Sequence, residues 1–303
     1  MAGPSHSFSS LTDLLAFVTK NWLSNYVTVD LCTGDAIETF IKRPFFMLVS
    51  VDAPMYDRFQ RSKEMRSLSL EEFVEEDDGL VFGNAQAANT ARASTLNSLS
   101  EFVNVRIVNN FNSIPGLYTH LDQVNLLDPS HLRPGWDAYF MTLASLASMR
   151  SNCMKRRVGA VLVRDNRILA TGYNGTPRGV KNCNEGSCLH CNSGSSNQIP
   201  YECVCLHAEE NALLEAGRER VGQGAVLYCN TCPCLKCTIK IIQTGVAKVV
   251  YNLSYKVDDA SAALFQQAGV ELRKYDPNQG LHLPTGNADQ QEAFSLPGIT
   301  ISH

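Results

Sequence analysis

The sequence lacks any apolar run long enough to cross a bilayer. Its longest such runs, "PFFMLVSV" and "VAKVVY", fall well short of the roughly 20 residues that a membrane-spanning helix needs. The first residues, "MAGPSHSFSSLTDLL", also lack the basic and then apolar pattern of a secretory signal. We therefore expect a soluble, cytoplasmic protein, which could also enter the nucleus, and no membrane partner.

The sequence also lacks a strong charge and a phosphate-binding loop. The net charge is only −4, and residues 134–276 carry 16 Lys and Arg against 12 Asp and Glu, too small an excess for a nucleic-acid-binding surface. The chain contains no G-x-x-x-x-G-K-[ST] loop to cradle a nucleotide phosphate. We expect no nucleic-acid partner, although a mildly cationic half would suit a small anionic substrate.

Cysteine is nearly absent from the first half of the chain and abundant in the second. Of the 11 cysteines in 303 residues, only Cys32 lies in the first half, and ten lie between Cys153 and Cys237. In the reducing interior of a cell, such a concentration indicates metal ligands or free thiols rather than disulfides. The cysteine-rich half is therefore where a metal site is expected.

From Trp136 onward the pattern alternates between helices and strands. The segment "WDAYFMTLASLASM" has helical spacing, "VGAVLV" and "ILATGY" flank the turn "RDNR" as a hairpin, and helices and strands then alternate up to "VELRKY". Gly217, Gly245 and Gly269 are placed to end three of the helices. This order predicts an α/β fold with a five-stranded mixed sheet and helices on both faces. Residues 277–303 have no sustained period and are expected to form a flexible tail.

Two short motifs in this half carry the chemistry. His207 and Glu209 belong to "HAE", and Cys234 and Cys237 belong to "PCLKC", each at the start of a predicted helix. Cysteines three residues apart share a helical face, and a helix N-terminus favours the thiolate that binds metal. One imidazole and two thiolates form a three-ligand zinc site whose fourth position stays open for water. Glu209 is not needed as a ligand and can carry a proton.

The combined signature, H-x-E followed by P-C-x-x-C, is that of zinc nucleobase deaminases. Either motif alone would be weak, because a C-x-x-C is more often structural zinc or a redox pair. We expect Glu210 and Glu215 on a solvated helix face, and Cys229 and Cys232 as packing residues or spare thiols. Two alternatives stay open: a deaminase of a base in tRNA or single-stranded DNA, and a non-catalytic zinc-binding module, which would have no use for a proton carrier.

Residues 131–276 resemble the deoxycytidylate deaminases of the cytidine deaminase superfamily, and most of all the fungal members. The resemblance is carried by "GYNGTPRG", "NCNEGSC", "CLHAEENALLEAGRERVGQGA" and "LYCNTCPCLKCTIKIIQTGVAKVVY". It implies the three-layer α/β/α cytidine deaminase fold and the hydrolysis of dCMP to dUMP and ammonia, which feeds thymidylate synthesis. It also implies a homohexamer that is activated by dCTP and inhibited by dTTP.

The resemblance further implies roles for individual residues. The catalytic zinc would be bound by His207, Cys234 and Cys237, with Glu209 as the proton shuttle. The substrate would contact Asn174, Ala208, Arg218 and Tyr255. The effector or the phosphate would contact Tyr173, Gly175 and Arg178, with the basic run at residues 155–157 as a further candidate for the phosphate.

The resemblance also implies a second, structural zinc, because five cysteines align with such a site in microbial members. Four thiolates would close the zinc shell and fix the long irregular segment between residues 174 and 202. The favoured ligands are Cys153, Cys183, Cys188 and Cys203, with Cys191 and His190 as competing ligands. A set of free thiols is the alternative, and Cys205 has no assigned role.

Residues 1–130 are expected to form a separate α/β region. The segments "RPFFMLVSVDAP" and "VNVRIVNN" are predicted strands, the first of them buried, and "SLEEFVEEDD" is a predicted helix start. The region weakly resembles the C-terminal part of P-loop nucleoside or dephospho-coenzyme-A kinases. Because the phosphate loop is missing, we predict a degenerate domain with a packing role and no kinase activity.

Overall fold

The computed structural model describes residues 5–31, 33–63, 65–83, 95–193, 202–254 and 259–276. The chain divides into two compact units between Arg133 and Pro134. Within the described ranges, no helix is long and apolar enough to cross a membrane. The predicted tail lies outside the described residues.

The first unit contains short helices and a small parallel sheet. Its elements are α1 (Leu11–Lys20), α2 (Gly34–Ile41), β1 (Val49–Asp52), α3 (Met55–Lys63), α4 (Leu70–Phe82), α5 (Leu96–Leu99), β2 (Val105–Val108) and α6 (Ile114–Val124). Strands β1 and β2 pair in parallel. The expectation that β1 is buried is wrong, because its residues range from partly buried to exposed, whereas β2 alternates between buried and exposed positions. Helix α4 begins with a capping box between Ser69 and Glu72.

The second unit carries the longer sheet and the cysteines. Its elements are α7 (Trp136–Ser148), β3 (Gly159–Arg164), β4 (Arg167–Tyr173), α8 (Leu189–Asn192), α9 (Ala208–Ala216), α10 (Arg218–Val221), β5 (Val226–Thr231), α11 (Leu235–Thr244), β6 (Lys248–Leu253), α12 (Asp259–Gln267) and β7 (Glu271–Lys274). The strand order is β4-β3-β5-β6-β7. Strand β3 runs antiparallel to both neighbours, while β5, β6 and β7 are parallel. The predicted five-stranded mixed sheet is thus confirmed.

The predicted hairpin between β3 and β4 has a two-residue turn. Asp165 and Asn166 both have positive φ, at 53° and 58°. Aspartate and asparagine tolerate this left-handed conformation better than other non-glycine residues, and the resulting twist matches that of the strands. The turn "RDNR" therefore sets the register of the first two strands of the sheet.

Helices cover both faces of this sheet. On one face, Phe140, Met141 and Ala144 of α7 pack against Val161, Val163, Tyr228 and Val250 of the strands. On the other face, α9, α11 and α12 pack against the intervening strand residues, including Ala160, Leu162, Leu227 and Val249. Because side chains alternate along a strand, successive residues of β3 supply both cores. The three-layer α/β/α arrangement follows from this alternation.

Candidate active site

The side chains of three residues, His207, Cys234 and Cys237, here called the trio, converge where two helices begin. His207 is the N-cap residue of α9, Cys234 is the N-cap residue of α11, and Cys237 lies in the first turn of α11. His207 Nδ1 lies 3.2 Å from Cys237 Sγ and 3.5 Å from Cys234 Sγ, and the three ligand atoms all lie within 4.8 Å of one another. A tetrahedral zinc with ordinary bond lengths separates a nitrogen ligand from a sulfur ligand by about 3.5 Å. The donor set and its spacing fit zinc.

The chain holds His207 in place through the end of β4. Gly175 and Leu206 form an isolated antiparallel bridge, with N···O distances of 3.1 and 2.8 Å, directly before His207. At Gly172 in β4, an added Cβ would lie 2.1 Å from the carbonyl oxygen of Ala208. Helix α9 can therefore approach β4 this closely only because residue 172 has no side chain.

The pKa values of the two cysteines of the trio shift in opposite directions. A hydrogen bond from the Cys237 thiol lowers the pKa of Cys234 to about 3, against the effect of burial. The same hydrogen bond and burial raise the pKa of Cys237. The neighbouring Cys234 sulfur raises the pKa of His207. A cluster that already holds a thiolate before any cation binds is suited to a divalent metal.

Glu209 lies beside the trio as a buried carboxyl group. It is 3% exposed, and its Oε2 has no hydrogen-bond partner among the described residues. Burial raises its pKa, although its own backbone N–H and His207 oppose the shift. A carboxyl group whose oxygen is buried and unpartnered is poised to exchange a proton with a bound molecule rather than to stabilise the fold.

The expectation that Glu210 lies on a solvated helix face is wrong, because its side chain is largely buried between α9 and α11. Its Oε2 accepts a hydrogen bond of 2.8 Å from the backbone N–H of His207, and it forms an ion pair with Lys240 of α11. Glu210 thus caps α9 and connects it to α11. The signal was present in the sequence, because a glutamate three residues after an N-cap residue is a capping-box spacing. Glu215 is exposed, as expected.

The residues expected to contact the substrate differ in their burial and in their separation from the trio. Asn174 is 6% exposed; its Oδ1 accepts from the Val158 N–H at 2.8 Å and its Nδ2 donates to the Arg156 carbonyl at 3.0 Å. Ala208 is buried at the first position of α9. The structure does not bring Arg218 to the trio, because the length of α9, about 13 Å, lies between them.

Tyr255 lies outside the described residues. The residues expected to contact an effector or a phosphate lie at the end of β4 and on the turn that follows it. Tyr173 and Arg178 are exposed, whereas Gly175 is buried in its bridge to Leu206. The basic run at residues 155–157 is exposed as well. Arg178 and the basic run are therefore both accessible to an anionic molecule.

Six cysteine sulfurs lie together beside this site. Four sulfurs lie within 4.8 Å of one another in each of two groups: Cys153, Cys183, Cys191 and Cys205 in the first, and Cys188, Cys191, Cys203 and Cys205 in the second. The favoured ligand set of the sequence prediction matches neither group. Cys191 belongs to both, as does Cys205, which had no assigned role, and His190 belongs to neither.

The electrostatics of this cysteine cluster differ between its edge and its centre. Burial alone would raise the pKa of Cys188, but backbone N–H groups of Cys191 and Val204 donate to its sulfur and bring the pKa down to about 6. Burial and the surrounding sulfurs raise the pKa of Cys191 and of Cys205. Burial and, after it, the surrounding sulfurs disfavour ionisation of these two central thiols, and a bound cation would offset both effects.

Comparison with known proteins places the chain among deaminases. A family model described as the cytidine and deoxycytidylate deaminase zinc-binding region matches residues 134–253. The chain is 50% identical to a deoxycytidylate deaminase of Schizosaccharomyces pombe, over 88% of this chain and 82% of that protein. It is 43% identical to the deoxycytidylate deaminase of Saccharomyces cerevisiae, over 87% of this chain and 85% of that protein.

Among solved structures, the chain is similar to the dCMP deaminase of cyanophage S-TIM5, whose crystal structure contains dCMP and dUMP. The identity is 38%, the alignment covers 45% of this chain and 94% of that chain, and the TM-score is 0.38. The two fungal alignments cover more of the chain than residues 134–303 can supply, so they extend into the first unit. The resemblance of that unit to P-loop kinases is unsupported by these comparisons.

The fold and the site define a zinc-binding deaminase with the cytidine deaminase fold. The two fungal relatives narrow this class, since each is matched over more than four fifths of its length. The chain belongs to the deoxycytidylate deaminase family.

Proposed function

We propose that this protein hydrolyses dCMP to dUMP and ammonia, with zinc held by His207, Cys234 and Cys237 and with Glu209 as the proton carrier. The observation that carries the proposal is the buried, unpartnered Glu209 oxygen beside a three-ligand cluster of zinc geometry. A structural zinc site has four protein ligands and no use for a buried acid. The relatives named deoxycytidylate deaminases support the choice of dCMP as the substrate.

A zinc ion in this site supplies a Lewis acid that makes water nucleophilic near neutral pH. Glu209 then has two tasks at C4 of the pyrimidine. It takes one proton from the attacking water and delivers it to the ring nitrogen N3. It then takes the second proton from the hydroxyl group now on C4 and gives it to the departing amine, which leaves as ammonia. Its raised pKa suits both directions of transfer, because a carboxyl group that titrates nearer neutral pH can accept a proton and release it again.

The backbone around the site orients the base. Ala208 lies between His207 and Glu209 at the first turn of α9, where backbone N–H groups have no intrahelical partner. The Ala208 backbone could therefore contact the edge of the pyrimidine. Asn174 uses both polar side-chain atoms within the protein, so its remaining amide hydrogen is what it could offer to the deoxyribose.

Further properties of this enzyme are proposed from the family resemblance. They are a homohexameric assembly, activation by dCTP and inhibition by dTTP at the turn of Tyr173, Gly175 and Arg178, and a cytoplasmic location. Exposed Tyr173 and Arg178 are compatible with an effector site on this turn. Arg218, at the far end of α9, could serve an effector or a neighbouring subunit instead of the substrate within one chain. Activity measured with each nucleotide, with mass determined by light scattering, tests the first two properties.

A substrate panel tests the reaction itself. Purified protein is assayed with dCMP, CMP, deoxycytidine and single-stranded DNA, with and without dCTP. We expect ammonia release from dCMP and little from the other three. Deamination of the DNA but not of dCMP would overturn the proposal.

A substitution tests the role of Glu209. Glu209→Gln should retain zinc in the catalytic site while kcat falls by about 10²–10⁴-fold, because only proton transfer is removed. Glu215→Gln is the matched control, since Glu215 lies on the same helix but is exposed, and it should be as active as the wild type. An active Glu209→Gln variant with normal zinc content would remove Glu209 from its assigned role.

A further inference from the structure

The six clustered cysteines are separated by distances that suit metal binding and not disulfides. The Sγ atom of Cys191 lies 3.7 Å from the Sγ atom of Cys153, 3.5 Å from that of Cys203 and 4.0 Å from that of Cys205. The Sγ atoms of Cys188 and Cys203 lie 3.8 Å apart. A disulfide requires about 2.05 Å. In a tetrahedral zinc site with Zn–S bonds of about 2.3 Å, two sulfurs lie about 3.8 Å apart. The observed sulfur–sulfur distances are therefore those expected between two ligands of one tetrahedral zinc ion.

The two groups of four sulfurs share two members. Cys153 and Cys183 belong to the first group alone, Cys188 and Cys203 belong to the second alone, and Cys191 and Cys205 belong to both. Two tetrahedra that share an edge have this composition, with six corners in total. A single four-coordinate zinc would instead use one group and leave two cysteines beside it without a metal.

We propose that these six cysteines bind two zinc ions as one cluster, in which Cys191 and Cys205 each bridge the two ions. A thiolate sulfur has lone pairs enough to bind two metals, and six thiolates with two zinc ions is a known protein zinc composition. Charge favours this arrangement as well. Six thiolates carry −6 and two zinc ions carry +4, which leaves −2, the same charge as one zinc with four thiolates.

Hydrogen-bond donors of the protein reach three of the four sulfurs that do not bridge. The backbone N–H groups of Lys155 and Arg156 donate to Cys153, and those of Cys191 and Val204 donate to Cys188. The Nδ2 of Asn192 lies 3.8 Å from the Cys183 sulfur as a further donor. Such donors stabilise terminal thiolates and orient metal ligands.

The cluster joins segments that are distant in sequence and leads directly to the active site. Cys153 follows α7, Cys183 to Cys191 lie in the segment after β4, and Cys203 and Cys205 precede His207. The cluster would therefore fix the segment that enters α9 from one side, while the Gly175–Leu206 bridge fixes it from the other. This role is structural and does not depend on the reaction proposed for the neighbouring site.

Zinc content per folded chain tests the cluster, measured by mass spectrometry of the metal after gel filtration. We expect three zinc ions in the wild type and two in a His207→Ala/Cys237→Ser variant, which lacks the catalytic ligands. Cys153→Ser should lose one ion, because Cys153 binds one metal only, whereas Cys205→Ser should lose two. Cys232→Ser is the matched control and should keep all three, since Cys232 belongs to none of these groups. Fewer than two ions in the His207→Ala/Cys237→Ser variant, or equal losses in Cys153→Ser and Cys205→Ser, would overturn the proposal.

A measurement on the wild-type chain keeps the test decisive if a cysteine variant does not fold. The zinc is exchanged for ¹¹³Cd, which also prefers tetrahedral thiolate sites, and the NMR spectrum is recorded. Two resonances in the all-thiolate region, each split by the other cadmium through the shared sulfurs, are expected. One resonance, or two without mutual splitting, would refute the bridged cluster. The resonance of the catalytic site should disappear in His207→Ala/Cys237→Ser, so failure of the catalytic assignment is recognised separately.

Discussion

The contact between β4 and α9 provides the sharpest prediction about how the fold builds the active site. A Gly172→Ala substitution would place a Cβ 2.1 Å from the Ala208 carbonyl oxygen and 2.5 Å from the Ala212 backbone nitrogen. Both are backbone atoms, so no side chain can rotate away. A separation of at least about 3 Å is needed, so the strand and the helix must move apart by about 1 Å in a closely packed core.

Two consequences should follow from this displacement. Overpacking of this kind costs about 3 kcal/mol, which lowers Tm by about 6–12 °C for a unit of this size. A displacement of about 1 Å at Ala208, between His207 and Glu209, should reduce kcat by about 100-fold. Differential scanning calorimetry and a dCMP assay below the unfolding transition measure the two effects.

The control for this prediction is Gly135→Ala. An added Cβ at Gly135 meets no atom within 4 Å, and its φ of −61° suits any residue. The control should therefore keep the Tm within about 2 °C of the wild type. If Gly172→Ala behaves like this control in both assays, the argument that residue 172 controls the position of α9 is wrong.

Three other predictions concern single contacts. Asn174→Ala should lower the free energy of unfolding by about 1–3 kcal/mol, because the buried Val158 N–H loses its acceptor; an unchanged denaturation midpoint would contradict this. A double-mutant cycle of Glu210→Ala with Lys240→Ala should give a coupling of at most about 1 kcal/mol that weakens in salt, since half of the Lys240 side chain is exposed. Phe265→Ala should cost about 3–5 kcal/mol in chemical denaturation, because this residue is fully buried under the sheet, while exposed Gln266→Ala should have little effect.

Local sequence patterns were enough to predict the architecture of the second unit. The turn "RDNR" between two short apolar runs predicts the β3–β4 hairpin, and the alternation of helical and extended patterns predicts the remaining parallel strands. The grouping of His207, Cys234 and Cys237 could also be predicted, because both motifs are short and each lies at a helix start. Within such motifs the spacing of a few residues fixes which side chains share a face, so little depends on the rest of the fold.

The first unit was harder to interpret from its sequence. Strand β1 has the composition of a buried strand, yet its residues range from partly buried to exposed. Composition reports how apolar a strand is, but the elements that pack on it decide how much of it is covered. For the same reason, the resemblance to kinases rested on apolar segments that many α/β regions share.

The sequence by itself therefore determined the class of site and the order of the elements that carry it. Only the tertiary structure decided which cysteines group together and that Glu210 pairs with Lys240. The physical reason is that these relations depend on the path of irregular segments and on how helices pack, and neither follows from a residue period. Cys205 contacts Cys191 across such a segment, and Glu210 meets Lys240 only because α9 and α11 pack side by side on one face of the sheet.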